Sequence, residues 1–222
     1  MDDQTRRTIF ESLSSALIGD VLDTAGRRHQ MLPQGIKPLV PGTRILGRAM
    51  PVLECDMLDG AGEGPLAARP FGLMFEALDS LLPGEIYIAS GSSFDYALWG
   101  GLMSLRAQTL GAAGAILNGY IRDTDEIRRL GFPVFSCGSY AQDQGVRGKV
   151  VGYRTRIRIG QTDIAPGDLI FGDDEGVLVI PADIEQEIIA AAAEKARTEN
   201  KVAKAIRGGM STVEAFETFG VM

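Results

Sequence analysis

A run of small apolar residues near the middle of the chain, residues 112–117, is followed within a few positions by two adjacent opposite charges, Arg122 and Asp123. Such an apolar run is typical of a buried strand. An arginine offers a planar fork of donors suited to a carboxylate or an enolate, and an aspartate is a hard oxygen ligand for Mg²⁺ or Mn²⁺. A strand that ends in this pair predicts a site for one anionic ligand.

A structural interpretation of the same residues is open as well. At a strand-to-helix junction, Arg122 and Asp123 can form a local ion pair. Asp123 can also be the N-cap of the next helix, with Glu126 completing a capping box three residues later. For an isolated Arg-Asp dipeptide this second interpretation is the better one, because short motifs often match by chance.

Two glycines, Gly100 and Gly101, precede a long helical stretch upstream of this pair. Free backbone N–H groups at such a helix start can hold an anion. The spacing Gly101, twenty residues, Arg122, Asp123, two residues, Glu126 resembles the signature of the RraA-like family. That family contains the class II 4-hydroxy-4-methyl-2-oxoglutarate aldolases and the proteins named as regulators of ribonuclease E activity.

The resemblance covers most of the chain, from about residue 14 to about residue 207. Residues 130–135 are similar to the family's next strand, and residues 166–177 are similar to its late hairpin. Agreement over this length makes chance a poor explanation. The resemblance implies an α/β protein with the layered β/β/α RraA-like fold.

The residue pattern itself indicates a mixed α/β core joined to a mostly antiparallel β section and a long C-terminal helix. We expect a single domain over residues 1–222, with a helical extension from about residue 182. The long helix is predicted to open at Pro181 and to end at Gly208-Gly209, before a capping box at Ser211 and Glu214. The other predicted helices are residues 5–17, 19–25, 71–81, 105–110 and 125–130, and the predicted strands are residues 44–55 (interrupted near Pro51), 85–89, 115–117, 134–136, 149–159, 169–172 and 177–180.

The composition argues against several classes of function. A net charge of −7 disfavours nonspecific nucleic-acid binding, which needs clustered Lys and Arg. No run approaches the roughly 18 apolar residues of a membrane span, and the first residues lack the apolar core of a signal peptide. We therefore expect a cytoplasmic protein with no nucleic-acid or membrane partner.

Histidine and cysteine are too scarce for most metal or nucleophilic centres. His29 is the only histidine and lies in a polar turn, which excludes a multi-histidine metal site, although a role as general base stays open. Cys55 and Cys137 form no paired motif and are expected to be buried small hydrophobes.

Three further patterns have a structural and a functional interpretation. Arg154, Arg156 and Arg158 alternate with other residues, which predicts one solvated strand face. Residues 60–65 are glycine-rich but lack the Lys-Ser/Thr ending of a phosphate loop, so a surface loop is favoured. Residues 90–93 are similar to the family's glycine-rich loop beside the active site, and simple turn chemistry explains them equally well.

The resemblance also implies roles for individual residues. The backbone of Gly100, Gly101, Leu102 and Met103 corresponds to a cradle for the substrate carboxylate, Arg122 to a substrate ligand and catalytic enolate stabiliser, and Asp123 to the ligand of a divalent cation, Mg²⁺ or Mn²⁺. A 2-oxo acid chelated by that cation would yield a stabilised pyruvate enolate after carbon–carbon cleavage or decarboxylation.

This chain departs from the aldolase pattern at two positions. Gly101 stands where active aldolases of the family show an acid that helps to hold metal-bound water, and Asn118 stands where an acid is common. Two classes of function follow. One is a divalent-metal-dependent lyase of a small 2-oxo acid such as 4-hydroxy-4-methyl-2-oxoglutarate or oxaloacetate, or of a related carboxylate or sugar acid. The other is a non-enzymatic protein-binding regulator resembling the ribonuclease E inhibitors.

The resemblance implies a homotrimer or a dimer of trimers with active sites at subunit boundaries. Glu199, on the long C-terminal helix, is a candidate for reaching a neighbouring subunit's site.

Overall fold

The computed structural model describes residues 9–57 and 66–221. They group into two compact units, one containing residues 29–182 and the other containing the residues before 29 and after 182. The expectation of a single domain over the whole chain stays a prediction. No helix among the described residues is both long enough and apolar enough to cross a membrane.

Within residues 29–182 the described chain forms strands and three short helices. The helices are α2 (Met74–Asp79), α3 (Gly101–Thr109) and α4 (Thr124–Leu130). The strands are β1 (Lys37–Pro38), β2 (Ile45–Asp56), β3 (Glu85–Ser90), β4 (Ala97–Trp99), β5 (Gly114–Leu117), β6 (Tyr120–Ile121), β7 (Val134–Ser136), β8 (Gly148–Tyr153), β9 (Ile157–Ile159), β10 (Thr162–Ile164), β11 (Leu169–Asp173) and β12 (Gly176–Ile180).

The main sheet is mixed and has the strand order β1-β7-β5-β3-β2-β11-β12, with β8 also paired to β2. Strands β2, β3, β5 and β7 are parallel, as expected where helices connect successive strands. Strands β1, β8, β11 and β12 pair antiparallel with their neighbours. The predicted mixed α/β core and antiparallel section are therefore confirmed.

Both faces of this sheet are covered. On one face Met50, Tyr87 and Leu117 belong to an apolar cluster that includes residues of α2, α3 and α4. On the other face Ile88 and Ile116 belong to a cluster with residues of the β9–β10 hairpin. Neighbouring strand residues point to opposite faces, so each strand contributes to both clusters. The result is a layer of helices, a central sheet and a second, smaller β layer.

The other unit is helical. Helix α1 (Ser15–Thr24) contacts α5 (Glu185–Arg207), and Lys195 of α5 pairs with Asp20 of α1. Helix α5 ends at Gly208, as predicted. The predicted capping box before α6 (Thr212–Phe219) is also confirmed, since Ser211 and Glu214 bond reciprocally.

Several predicted helix boundaries are wrong. Helix α2 begins after residue 72, because Phe71 (φ 61°) and Gly72 (φ 65°) have left-handed backbone conformations that no α-helix accommodates. Helix α5 begins at Glu185 rather than at Pro181. The predicted helix over residues 5–17 breaks before α1, where the Ser14 hydroxyl caps the new helix by accepting from the N–H of Leu17 at 3.2 Å. Residues 9–12 are helical, and residues 5–8 lie outside the described part of the chain.

The predicted interruption of β2 near Pro51 is also wrong. Strand β2 pairs with β11 at residues 45–48 and with β8 at residues 52–56, and Pro51 lies where the partner changes. The Pro51 carbonyl accepts a hydrogen bond from the N–H of Arg154 at 2.8 Å. Because the nitrogen and carbonyl of a strand residue point to the same side, the missing N–H falls at this junction and costs no ladder bond.

The strand predicted over residues 149–159 is divided into β8 and β9. Arg154 adopts a left-handed conformation (φ 53°) that turns the chain between them. Its guanidinium binds Glu85 at 2.7 and 2.8 Å, whereas Arg158 binds Asp163 at 2.7 and 3.0 Å. The prediction that Arg154, Arg156 and Arg158 share one strand face is therefore wrong.

Candidate active site

A small two-stranded sheet brings the two predicted halves of the site together. Strands β4 and β6 are parallel neighbours, and the N–H of Arg122 donates to the carbonyl of Trp99 at 2.9 Å. The chain leaves β4 through Gly100 and Gly101, and it leaves β6 through Arg122 and Asp123. Segments twenty residues apart in sequence therefore leave one edge side by side.

The carboxylate of Asp123 is directed at the neighbouring helix and not at its own. Asp123 precedes α4 with a left-handed backbone (φ 56°), and its side chain makes no capping hydrogen bond to α4. Its Oδ2 accepts instead from the N–H of Gly101 at 3.1 Å, at the start of α3. The interpretation of Asp123 and Glu126 as a capping box is therefore wrong. Left-handed backbone at a residue other than glycine is uncommon and is concentrated at functional sites.

Both glycines at the start of α3 are in close contact with carboxylates. A Cβ on residue 100 would lie 2.7 Å from Oδ2 of Asp123, and a Cβ on residue 101 would overlap Oε2 of Glu126. Glycine at these positions lets two acidic side chains approach the helix start. Glu126 was not among the predicted site residues, although it is the last position of the recognised spacing.

The guanidinium of Arg122 is held by a residue that the sequence did not reveal. Its Nη1 lies 2.8 Å from Oδ1 of Asp143, and its Nε lies 3.8 Å from Oδ2 of Asp123. Asp143 belongs to an irregular segment before β8, and no motif marks it. Arg122 retains 40% side-chain exposure, so part of its donor fork faces solvent.

These groups open on a cavity of about 250 Å³. Its walls are mostly apolar, with polar groups converging at one end, which is the usual character of a small-molecule site. The cavity-lining residues are Phe71, Met74, Phe75, Ala97, Leu98, Trp99, Gly100, Leu102, Met103, Arg122, Asp123, Asp143 and Gln144. Five of the six predicted site residues are in this set, and the sixth, Gly101, contacts the cavity-lining Asp123 through its N–H.

Two side-chain hydrogen bonds hold the start of α3 in place. The indole of Trp99 donates to the Ser104 hydroxyl at 2.7 Å, and that hydroxyl donates to the carbonyl of Gly100 at 3.1 Å. The Trp99 ring also packs against Tyr87 and stacks on Phe132, with ring centroids 4.8 and 6.3 Å away. The helix start is therefore held by a buried aromatic cluster.

Behind the cavity lies a buried acid that the sequence did not single out. Glu54 on β2 is 2% exposed, and its Oε2 accepts from Nε2 of Gln144 at 2.7 Å. Burial raises the pKa of the Glu54 carboxyl to about 8, against a smaller lowering by this hydrogen bond. The phenol of Tyr87, whose pKa is raised by its own burial and by Glu54, is fully buried nearby.

Residues 90–93 have the hydrogen bonding of a turn and are not among the residues that line the cavity. The N–H of Ser93 donates to both carboxylate oxygens of Asp56, at 2.9 and 3.1 Å, which favours the structural interpretation. Asn118 donates to the Ser90 hydroxyl at 3.2 Å, and neither residue is among those that line the cavity.

The remaining candidates lie elsewhere. His29 is exposed in a segment without regular structure, as predicted. Cys55 is exposed and Cys137 is half-buried, and both are free, so the expectation that Cys55 is buried is wrong. On α5, Oε1 of Glu199 lies 3.8 Å from Nζ of Lys195. The role of Glu199 toward a neighbouring subunit stays a prediction. Residues 60–65 are outside the described part of the chain.

The carboxylates at the start of α3 decide whether the implied divalent cation fits there. No group of three His, Cys, Asp or Glu side chains among the described residues is arranged to hold a metal ion. Asp123 and Glu126 both meet Gly101, however, and one or two carboxylates completed by water and substrate oxygens are the usual protein share of a Mg²⁺ site. The residues therefore fit Mg²⁺ or Mn²⁺, and they do not fit zinc, which takes more protein ligands.

Comparison with known families agrees with the recognised spacing. The model of the RraA-like family, described as Aldolase/RraA, matches residues 15–179.

Two relatives show how far sequence similarity extends. The chain is 31% identical over 207 residues to protein DlpA of Legionella pneumophila, and the match covers 93% of this chain but only 32% of DlpA. It is 29% identical over 210 residues to a protein of Halalkalibacterium halodurans provisionally named 4-hydroxy-4-methyl-2-oxoglutarate aldolase, covering 94% of this chain and 92% of that protein. The chain thus spans about a third of DlpA and nearly all of the second relative.

Solved structures share the fold. An uncharacterized protein from Pseudomonas syringae pv. tomato is 27% identical, with a TM-score of 0.85 over 99% of this chain and 95% of that chain. RraAS2 of Streptomyces coelicolor, described as an unusual member of the RNase ES inhibitor RraA protein family, is 23% identical, with a TM-score of 0.77 over 90% of this chain and 96% of that chain. The predicted RraA-like fold is confirmed.

Proposed function

Because the chain belongs to the RraA-like, Aldolase/RraA family, we propose that it is a divalent-metal-dependent carbon–carbon lyase. Its substrate is a small 2-oxo acid such as 4-hydroxy-4-methyl-2-oxoglutarate or oxaloacetate, and its product is pyruvate. The observation that carries the proposal is the convergence of Arg122, Asp123 and Glu126 on the start of α3, beside a cavity with mostly apolar walls that Arg122 and Asp123 line.

The charge balance at this site favours a cation as well as an anion. Arg122 is the one cationic side chain among the described cavity-lining residues, and it is accompanied there by Asp123 and Asp143. Glu126 adds a third carboxylate beside Gly101. Three carboxylates against one guanidinium disfavour an anionic substrate unless a cation also binds. Asp123, with Glu126 beside it, would hold that cation.

Two sets of hydrogen-bond donors are available to the substrate. The first N–H groups of a helix have no acceptor within the helix, and α3 begins at Gly101. The N–H of Gly101 serves Asp123, so we assign the N–H groups of Leu102 and Met103 to the substrate. The exposed part of the Arg122 fork then binds a second oxygen of the same molecule.

Arg122 also stabilises the charge that develops in the reaction. Cleavage of the C3–C4 bond of a 2-oxo acid releases a ketone or carbon dioxide and leaves the bonding electron pair as an enolate whose negative charge rests on the C2 oxygen. When a ketone leaves, the C4 hydroxyl gives up its proton as it becomes the carbonyl, and in both reactions C3 then takes a proton from solvent to give pyruvate. A guanidinium held in place by Asp143 stabilises that oxygen without reorganising, and the apolar walls strengthen the interaction by excluding water. When bound, the divalent cation supplies Lewis-acid polarisation of the 2-oxo group.

A substrate screen tests this proposal. The purified protein is incubated with a panel of 2-oxo acids, with Mg²⁺ or Mn²⁺ or with a chelator, and pyruvate is measured. We expect release from at least one 2-oxo acid, abolished by the chelator. The alternative, a protein-binding regulator like the ribonuclease E inhibitors, predicts no release from any of them. The likeness to RraAS2, at 23% identity, shows the fold alone and does not favour that alternative.

A further inference from the structure

Glu54 is a buried acid that the proposed mechanism does not use. It nonetheless contacts Gln144, a residue of the cavity wall. It follows a register shift in β2, between Leu53 and Glu54, where β2 pairs with β8. Its Oε2 accepts from Gln144, whereas its Oε1 is buried with no hydrogen-bond partner among the described residues. A carboxylate with one bond and one orphaned oxygen is costly to bury, so the neutral acid is the favoured form.

Among the described residues, no cation compensates the charge of an ionised Glu54. The ionisable groups that interact with it electrostatically are the phenols of Tyr87 and Tyr96. Burial raises the pKa of both phenols, and the Tyr87 hydroxyl is itself buried without a partner among the described residues. Tyr96 donates to Asp56 at 2.8 Å, which places that carboxylate on the far side of the phenol. Ionised Glu54 would therefore face neutral phenols and one carboxylate.

A short path connects Glu54 to Arg122. Gln144 is 3% exposed and is fixed on both sides, because its side chain bonds Glu54 and its carbonyl accepts from the N–H groups of Arg147 and Gly148 at 2.6 and 2.9 Å. The preceding residue, Asp143, pairs with Arg122 at 2.8 Å. The Asp143 carboxylate also accepts from the N–H of Gly145 at 3.0 Å, so it moves with its own turn, and that turn is anchored to Glu54 through Gln144.

We propose that the neutral carboxyl group of Glu54 is a positioning group of this site: through Gln144 it holds Asp143 against Arg122, and its ionisation loosens that contact. Ionised Glu54 binds Gln144 more strongly, but its second oxygen then needs water or a further donor, and the adjacent irregular segment that carries Asp143 and Gln144 must shift to admit one. Displacement of this segment removes the partner that orients Arg122. The role of the contact in catalysis rests on the proposed function, whereas the contact itself does not.

The first experiment reads the Arg122–Asp143 contact without substrate. The Nη resonance of Arg122, from the nitrogens that include the Asp143 partner Nη1 and assigned by its loss in Arg122→Lys, is followed by NMR from about pH 6 to about pH 10. We expect it to shift with a midpoint near 8, the pKa of Glu54. In Glu54→Gln, where a neutral amide of the same shape still accepts from Gln144, the shift is absent and the resonance keeps its neutral-pH position.

A matched control separates Glu54 from its neighbour. Tyr87→Phe removes a neighbouring buried hydroxyl that also lacks a partner among the described residues, and it leaves Glu54 in place, so the shift must persist. An identical shift in Glu54→Gln and the parent, or its loss in Tyr87→Phe, overturns the proposal. If Glu54→Gln fails to fold, the infrared C=O band of a protonated carboxyl in the parent gives the test, read beside the Arg122 titration. The two must change together near pH 8, and an Arg122 shift without loss of the band overturns the proposal.

A second measurement connects the contact to ligand binding, with oxalate as an analogue of the pyruvate enolate. With Mg²⁺ present, the parent should lose oxalate affinity by about tenfold per pH unit above the Glu54 pKa if only the neutral form binds. Glu54→Gln should show no such loss. If neither protein binds oxalate while the Arg122 resonance behaves as expected, the proposed function fails and the positioning role of Glu54 stands.

Discussion

The carboxylate of Glu126 lies directly against Gly101, in the space that a side chain on residue 101 would occupy. The resemblance to the aldolases implied an acid at position 101, and its absence raised the question of whether an activity survives. The structure shows that an acid is present in that space, contributed from α4 instead of α3. We propose that Glu126 takes the part of the missing acid, which makes the departure at position 101 compatible with a lyase.

The first prediction concerns this exchange of acids. Gly101→Asp places a Cβ where Oε2 of Glu126 lies, so the two carboxylates compete for one space and repel each other. We expect the single variant to lose pyruvate release by about tenfold or more, equivalent to about 1.4 kcal/mol in the barrier. The double variant Gly101→Asp/Glu126→Ala, with the acid now on α3, should recover most of the loss.

Glu126→Gln is the matched control, since it keeps the shape of the side chain and removes the charge. It should be impaired without any change at position 101. Equal activities of the Gly101→Asp single and double variants would show that the two acids do not share a function.

The second prediction separates cation binding from substrate binding. Asp123→Ala should abolish Mg²⁺ or Mn²⁺ binding, because it removes the carboxylate that binds the N–H at the start of α3 and lines the cavity. Arg122→Lys should keep the cation and weaken substrate binding, because lysine lacks the bidentate fork. Calorimetric titrations of both variants with metal, and then with oxalate, give the comparison. Unchanged metal affinity in Asp123→Ala would remove Asp123 from the ligand set.

The third prediction follows from the raised pKa of Glu54. An unfolded glutamate ionises near 4.5, whereas folded Glu54 keeps its proton up to about 8. Between these values the folded state binds more protons, so its stability falls as the pH rises, by up to about 1.4 kcal/mol per pH unit. Glu54→Gln has no such loss and should gain stability over the parent throughout this window.

Denaturant unfolding at a series of pH values measures the difference. The advantage of Glu54→Gln should be small below pH 4.5, grow through the window and level off above pH 8. An advantage that is the same at every pH would mean that Glu54 does not titrate in the folded protein as described.

The sequence was informative where chemistry and spacing coincide. The strand before Arg122, the glycines at the start of α3 and the Arg122-Asp123 pair predicted a site whose parts do meet. The predictions that failed concern backbone conformations, which the pattern of side-chain types does not show. The left-handed conformations of Phe71 and Arg154 shortened one helix and divided one strand, although neither residue is a usual marker of a turn.

Three residues of the site region were missed for different physical reasons. Glu126 belongs to the recognised spacing, but its contact with Gly101 is a tertiary contact that the spacing does not show. Asp143 and Gln144 lie in an irregular segment and acquire meaning through tertiary contacts with Arg122 and Glu54. A contact between residues ninety positions apart, such as that of Gln144 and Glu54, leaves no periodic trace in a single sequence.

A fourth prediction concerns assembly. We expect a homotrimer or a dimer of trimers, with α5 contributing and with Glu199 reaching a neighbouring site. Light scattering of the purified protein at micromolar concentration measures the mass, and Glu199→Ala should reduce activity without changing that mass. A monomer would contradict the expectation.

The most direct test of the lyase assignment is the steady-state rate of pyruvate release from oxaloacetate and from 4-hydroxy-4-methyl-2-oxoglutarate in the presence of Mg²⁺, for the parent and for Arg122→Ala. We expect measurable turnover by the parent on at least one of the two. We also expect Arg122→Ala to lower kcat by about a hundredfold or more, because it removes a charge that stabilises a developing oxyanion. Turnover that is absent from the folded, metal-loaded parent, or that is the same in Arg122→Ala, would contradict the lyase assignment.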